Sequence, residues 1–274
     1  MTLSRRQGAQ GSRVGGTPER HLVPRVTGER VSTPEGGFKP TWERHVAAYA
    51  AAAELLPPDA SPVLDVGCGT GHSYHLLEPR ETVGVDVEPQ ALAGQQRRTI
   101  VADMRELPLP DGSFAAFVSI QSIEHVPDPE RALAEARRVL EPHGTAIFVT
   151  PNRLTFGRPD EIIDPYHDVE YDQHQLGSLC GRFFENVEMH GLFGSERYLA
   201  LVDAEKARLD ELLRRDPLRL RRFVPRRARQ WAYDTQLRRE RAEASPEAAA
   251  IELGDFELRD GPLDEALDLV AVCR

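Results

Sequence analysis

Apolar residues recur at helical spacing from Trp42 to Leu56 (Val46, Tyr49, Ala50, Ala53, Leu56), which predicts a helix, and Pro57-Pro58 ends it. Beyond that point short apolar runs alternate with helical patterns. Strands are expected at 62–66, 82–87, 99–102, 114–120 and 145–150. Helices are expected after Gly71, from Pro89, and over 129–140, where Leu133, Ala136, Val139 and Leu140 share a face. Pro129 suits a first helical turn, and Glu141-Pro142-His143-Gly144 supplies turn chemistry at the other end. Such alternation predicts a parallel sheet wound by right-handed crossovers, an α/β Rossmann-like fold. A sixth strand is expected at 184–193 and a last one at 267–273. Between them, 200–250 is charged and helical in pattern, broken at Asp216-Pro217 and Val224-Pro225, and reads as an inserted helical lobe or lid. The organisation is therefore a mobile arm over 1–29, a core over 30–199, the insertion over 200–250, and the final strand region over 251–274. The arm is Gly-, Arg- and Ser-rich and lacks the apolar periodicity needed to offset its ordering entropy.

Composition narrows the class. A chain of 274 residues can bury a sizeable core without disulfide or metal staples, and its three cysteines, Cys68, Cys180 and Cys273, form no CxxC pair. No apolar stretch reaches the roughly 20 residues that span a bilayer, and 1–13 lacks the apolar stretch of a signal peptide, so a cytoplasmic setting is expected. A net charge of −10 opposes general attraction to phosphate backbones, so nucleic acid is not the expected partner. Nothing in the pattern specifies an oligomeric state.

The chemistry is concentrated in Val63-Leu64-Asp65-Val66-Gly67-Cys68-Gly69-Thr70-Gly71, a strand running into a glycine-rich turn. Glycines at 67, 69 and 71 remove Cβ atoms where the backbone turns tightly and a ligand must lie against it. Free N–H groups at a following helix start would favour a carboxylate. Asp86, at the end of the second strand, is placed to accept hydrogen bonds from both hydroxyls of a ribose. The turn reads GxGxG rather than the dinucleotide GxGxxG, and Asp65 stands two positions ahead of it. A pyrophosphate gains nothing from that acid. A ligand carrying an ammonium and a sulfonium does, directly or through water. Asp103 ends the third strand beside Met104, in position to accept from an adenine amino group.

The chain resembles the large methyltransferase family known as type 11, a class I S-adenosylmethionine-dependent group. The matching segments are VLDVGCGTG at 63–71, VGVDV at 83–87, ADMRELPLPDGSF at 102–114, SIEHVPDP at 122–129, RRVLEPHGTAIFVTPN at 137–152 and PYHDVEY at 165–171. The resemblance implies a seven-stranded, mostly parallel sheet with a reversed last strand and S-adenosyl-L-methionine as cofactor. It places Gly67, Cys68, Gly69 and Gly71 around the methionine part, Asp86 and Val87 at the ribose, and Asp103 and Met104 at the adenine. Ser119 and Gln121 would lie near the sulfonium. The chain departs from the commoner pattern at Ala115, Gln121 and His143.

His125, just past the fourth strand, is the candidate catalytic residue, since a neutral imidazole on the rim could take a proton from the acceptor. The segment Asp164, His167, Asp168, Glu170, Asp172, His174 matches no ligand spacing, so no metal is expected and the segment reads as a loop or acceptor lid. His72 and His75 read as helix surface and Cys68 as a packing residue. The Arg-rich run at 214–229 reads as a solvated face paired with acids. The expected activity is methyl transfer to an O, N or C nucleophile of a small-molecule acceptor. A non-catalytic binding protein of the same fold and, with less support, a nicotinamide oxidoreductase are the alternatives.

Overall fold

The computed structural model describes residues 34–156, 162–214, 216, 220–242 and 244–274. In chain order the elements are α1 (Lys39–Leu55), β1 (Val63–Val66), β2 (Thr82–Asp86), α2 (Pro89–Leu92), β3 (Arg98–Val101), β4 (Phe114–Ile120), α3 (Pro129–Val139) and β5 (Leu140–Pro151). There follow α4 (Arg153–Phe156), α5 (Gln173–Cys180), β6 (Val187–Gly194), α6 (Glu196–Arg214), α7 (Arg226–Glu240), α8 (Pro246–Ala249), β7 (Phe256–Arg259) and β8 (Asp268–Cys273). The arm expected at 1–29 lies outside the described residues.

The strands form one sheet in the order β3-β2-β1-β4-β5-β8-β6-β7. Pairs from β3 across to β5 are parallel, and β8 enters antiparallel between β5 and β6, which is the reversed last strand expected. An eighth strand, β7, pairs antiparallel with β6 at the edge and is additional to the seven expected. Its sequence, Phe-Glu-Leu-Arg, is four residues long with two charges, a composition that suits an edge and carries little apolar signal.

Both faces of the sheet are covered. Leu64, Val66, Phe117 and Phe148 pack with Leu133 of α3 and Leu176 of α5 on one face. On the other, Val63, Ala116, Val118 and Ile147 pack beneath α1, whose Ala47, Ala48 and Ala52 let the helix lie close to the strands. After β1 the chain moves outward to β2 and β3, then returns to place β4 on the opposite side of β1. That reversal opens a crevice at the carboxyl ends of β1 and β4, where open α/β sheets bind ligands.

Two expectations fail locally. The helix expected after Gly71 is a single 3-10 turn over Tyr74–Leu77, because only a few residues separate the glycine turn from Pro79 and the start of β2. The helical lobe begins at Glu196 rather than at 200, and α7 packs back onto the core. Arg226 of α7 donates to the carbonyls of Pro165 and Tyr166 and to Asp168 Oδ1, at 2.9, 3.0 and 2.7 Å, so the lobe buttresses the 164–168 loop.

Candidate functional site

The turn after β1 is shaped by what lies above it. Gly67 has φ +74°, and a Cβ there would fall 2.2 Å from Ser122 Oγ. Gly71, at φ +68°, would meet the Gln95 amide at 2.3 Å. Gln95 also donates from Nε2 to the Gly69 carbonyl at 2.9 Å, and Ser122 donates to the Gly67 carbonyl at 3.2 Å. Ser122 and Gln95 thus brace the turn from outside the glycine motif, a role that no local pattern around either residue signals.

Around this turn is a cleft of about 1010 Å³, open mouth included, lined by the residues that follow four consecutive strand ends in the sheet. Gly67, Cys68, Gly69 and Thr70 come from β1, Asp86 and Val87 from β2, Asp103, Met104 and Arg105 from β3, and Gln121 and Ser122 from β4. Asp86 is buried and accepts from the Gly69 N–H and the Glu88 N–H, both at 2.8 Å, which ties the glycine turn to the end of β2. Asp103 is held in a fork by Arg105 at 2.9 and 2.6 Å, and those hydrogen bonds lower its pKa from the usual carboxylate value. Burial pushes the Cys68 thiol up to about 12, so it packs against the turn and does not act as a nucleophile.

Three expected site residues do not line the cleft: Asp65, Ser119, and Gly71, which packs against Gln95. Asp65 is fully buried on the α1 side of β1, where its carboxylate forms a 2.7 Å ion pair with Arg97 and accepts from Tyr49 Oη at 3.0 and 3.2 Å. Its charge is met inside the protein rather than offered to a ligand, and Tyr49 faces the cleft in its place. Ser119 is also fully buried, on the Phe117 side of β4. The two-residue period of the strand sends Ile120 to the other face, and the cleft is lined from Ile120 onward, by Gln121 and Ser122. Gln121 has φ +51°, unusual for a residue with a Cβ. Its N–H donates to the Val149 carbonyl at 2.8 Å and its side-chain amide to Asp268 Oδ1 at 2.5 Å. Asp268 is itself fully buried and paired with Arg44, whose Nε donates at 2.7 Å, so a fixed ion pair holds the strained residue in place.

The far end of the cleft is lined by imidazoles. His45 from α1, His72 from the turn after Gly71 and His125 from the turn after β4 all contribute. His72, expected on a helix surface, instead stacks on Trp42 with ring centroids 4.0 Å apart, because no helix forms to carry it outward. Burial lowers the His45 pKa and brings that of His72 down to about 3, so both rings are neutral. His45 Nδ1 lies 2.8 Å from the Thr41 carbonyl and His125 Nδ1 3.2 Å from the Tyr166 carbonyl. A carbonyl only accepts, so Nδ1 carries a proton in both of these rings, and in the neutral His45 ring Nε2 keeps its lone pair.

A glycine turn at a strand-order reversal, with acids at neighbouring strand ends, is a nucleoside-binding arrangement, and the comparisons settle its kind. A family model described as a methyltransferase domain matches residues 64–148. A probable S-adenosylmethionine-dependent methyltransferase of Mycobacterium tuberculosis is 32% identical over 262 residues, covering 90% of this chain and 88% of that protein. The chain belongs to the S-adenosylmethionine-dependent methyltransferases.

A second relative of this methyltransferase, from Mycolicibacterium smegmatis and also named a probable S-adenosylmethionine-dependent methyltransferase, is 31% identical over 260 residues, 90% of this chain and 93% of that one. Among solved structures, a Thermotoga maritima S-adenosylmethionine-dependent methyltransferase, titled a possible histamine N-methyltransferase, is similar with a TM-score of 0.57. It is 17% identical over 86% of this chain and 91% of its own, a likeness of fold. S-adenosylmethionine is the cofactor, and the cleft fits it: the turn from Gly67 to Thr70 lines it with backbone, and the buried carboxylate of Asp86 stands at the β2 end. No helix of the described residues is long and apolar enough to cross a membrane.

Proposed function

We propose that this methyltransferase moves the methyl group of S-adenosylmethionine to an oxygen of a small hydroxylated acceptor. The supporting observation is the pair of imidazoles, His45 and His125, each held with Nδ1 toward a backbone carbonyl so that Nε2 is the nitrogen left for an acceptor, both lining the cleft. Ring nitrogens with lone pairs accept from O–H groups, whereas a lipid acceptor would need an apolar wall. When bound, the cofactor supplies an activated methyl on its sulfonium. The turn at Gly67–Gly71 holds its methionine part, Asp86 its ribose hydroxyls, and Asp103 with Met104 its adenine.

The remaining work falls to orientation, which can contribute roughly 7–11 kcal/mol when the acceptor is held in line. Gln121 and the Tyr49 hydroxyl shape the wall between the two ligands. His125 acts on the acceptor hydroxyl, whose proton must leave as the new C–O bond forms.

The test is transfer of labelled methyl to a panel of sugars and polyols, phenols, amines and fatty acids. Label is expected in hydroxylated small molecules, and His125→Ala should lower kcat about 100-fold with cofactor affinity within about twofold of wild type. Label confined to amines or fatty acids, or full activity of His125→Ala, would overturn the assignment.

A further inference from the structure

Behind the imidazole end of the cleft, Glu124, His125 and His167 each offer a ligand atom, and those atoms lie within 4.8 Å of one another. The two histidines come from different segments, one after β4 and one in the loop buttressed by α7, and their rings stand 5.2 Å apart between centroids. Each of the three side chains is oriented by a partner on its other side. His125 Nδ1 meets the Tyr166 carbonyl at 3.2 Å, His167 Nδ1 meets Glu170 Oε1 at 3.3 Å, and Glu124 Oε2 accepts from Thr150 Oγ1 at 3.0 Å. That is the outer support characteristic of metal-ligating histidines and carboxylates, in which a carbonyl or carboxylate fixes the ring and leaves the other nitrogen for the ion.

What remains facing inward is electron-rich. His125 Nε2 and Glu124 Oε1 are 4.0 Å apart, too far for a hydrogen bond. A proton shared between them would draw the pair below about 3.2 Å. An ion bound at about 2.0–2.2 Å to each ligand separates two such atoms by up to about 4.4 Å, so a cation matches the spacing better than a proton does. The Glu124 side chain is only 2% exposed, and Asp164 and Glu170 add negative charge around His167. The donor set of two imidazoles and one carboxylate suits ions of the zinc, manganese and iron class, rather than magnesium or calcium, which favour oxygen ligands.

We infer that a divalent transition-metal ion binds between Glu124, His125 and His167, with open coordination positions toward the cleft for oxygen atoms of the acceptor. This rests on the hydroxylated-acceptor reading and deepens it. His125 then acts on the hydroxyl through the ion, and an acceptor with two neighbouring hydroxyls can chelate it. The sequence expectation of no metal came from searching 164–174 for a ligand motif. Two of the three ligands lie some forty positions earlier, so no local spacing exists to find.

The direct test is cobalt(II) titration of untagged, chelator-stripped protein, followed by visible absorption, with zinc(II) calorimetry in parallel. One ion per chain is expected at micromolar affinity or tighter. His167→Ala should weaken binding at least 100-fold, Glu170→Gln about tenfold to 100-fold, and His75→Ala, an exposed histidine outside the cluster, not at all. S-adenosylmethionine affinity of each variant serves as the fold control. Failure of the wild type to bind one ion, or unchanged affinity in a His167→Ala that still binds cofactor, overturns the ion site and leaves the methyltransferase assignment standing. Ion binding without methylation of any hydroxylated acceptor supports the site and overturns the acceptor reading.

Discussion

Ser122 Oγ sits where a Cβ of residue 67 would have to go, and that contact accounts for Gly67 better than the motif does. Gly67→Ala is expected to lose at least 1–3 kcal/mol of stability, from a positive φ imposed on a residue with a Cβ together with the collision, and to weaken cofactor binding. Pairing it with Ser122→Gly should recover part of the loss, because the clash is relieved while the φ strain stays. Thermal unfolding and calorimetry of the single and double variants check this, and equal stabilities would remove the steric account. At this scale the sequence was legible where a residue's role follows from its place at a strand end: Asp86, Val87, Asp103, Met104 and Gln121 all line the cleft. It was illegible where the role depends on a distant partner or on which face of a strand a residue takes. Asp65 reads as a free acid until Arg97 is seen beside it, and Ser119 lies within β4 on its buried Phe117 side.

Among the elements, a buried carboxylate fastens the start of α6 to β7. Asp255, at the start of β7, accepts from Ser195 Oγ at 2.6 Å, from the Glu252 N–H at 2.8 Å and from both arms of Arg197 at the start of α6. The Arg197 hydrogen bonds hold its pKa down at about 2. A carboxylate with a depressed folded pKa stabilises the fold fully above its unfolded value, near 4, and loses that contribution as pH falls from about 4 toward 2. With Arg197 half exposed, the contribution is on the order of 1 kcal/mol. Wild-type Tm should therefore fall more steeply than that of Asp255→Asn as pH drops from about 4 toward 2, and parallel curves would show that the junction does not depend on this charge. Strands β1 to β5 could be read from their apolar runs, and α3 from its periodicity. The helix after Gly71 and the strand β7 could not, because chain length between fixed points decided the first and pairing with β6 the second. That same missing helix is why His72 was assigned to solvent rather than to the cleft.

At the scale of the whole molecule, strand order places the functional groups together. The reversal between β1 and β4 brings the ends of β1 to β4 to one crevice, α1 closes one side with Tyr49 and His45, and the loop clamped by α7 brings His167 beside His125. Residues far apart in the chain therefore serve one cofactor and one acceptor. The account depends most on Asp86, which fastens the glycine turn and which we propose receives the ribose hydroxyls. Calorimetric titration of S-adenosylmethionine into wild type and Asp86→Ala tests it most directly. The wild type is expected to bind one equivalent with micromolar affinity, and Asp86→Ala to lose at least about tenfold, from charge-assisted hydrogen bonds of roughly 1.5–3 kcal/mol each. Equal affinities in a variant that still folds would contradict the placement of the cofactor in this crevice.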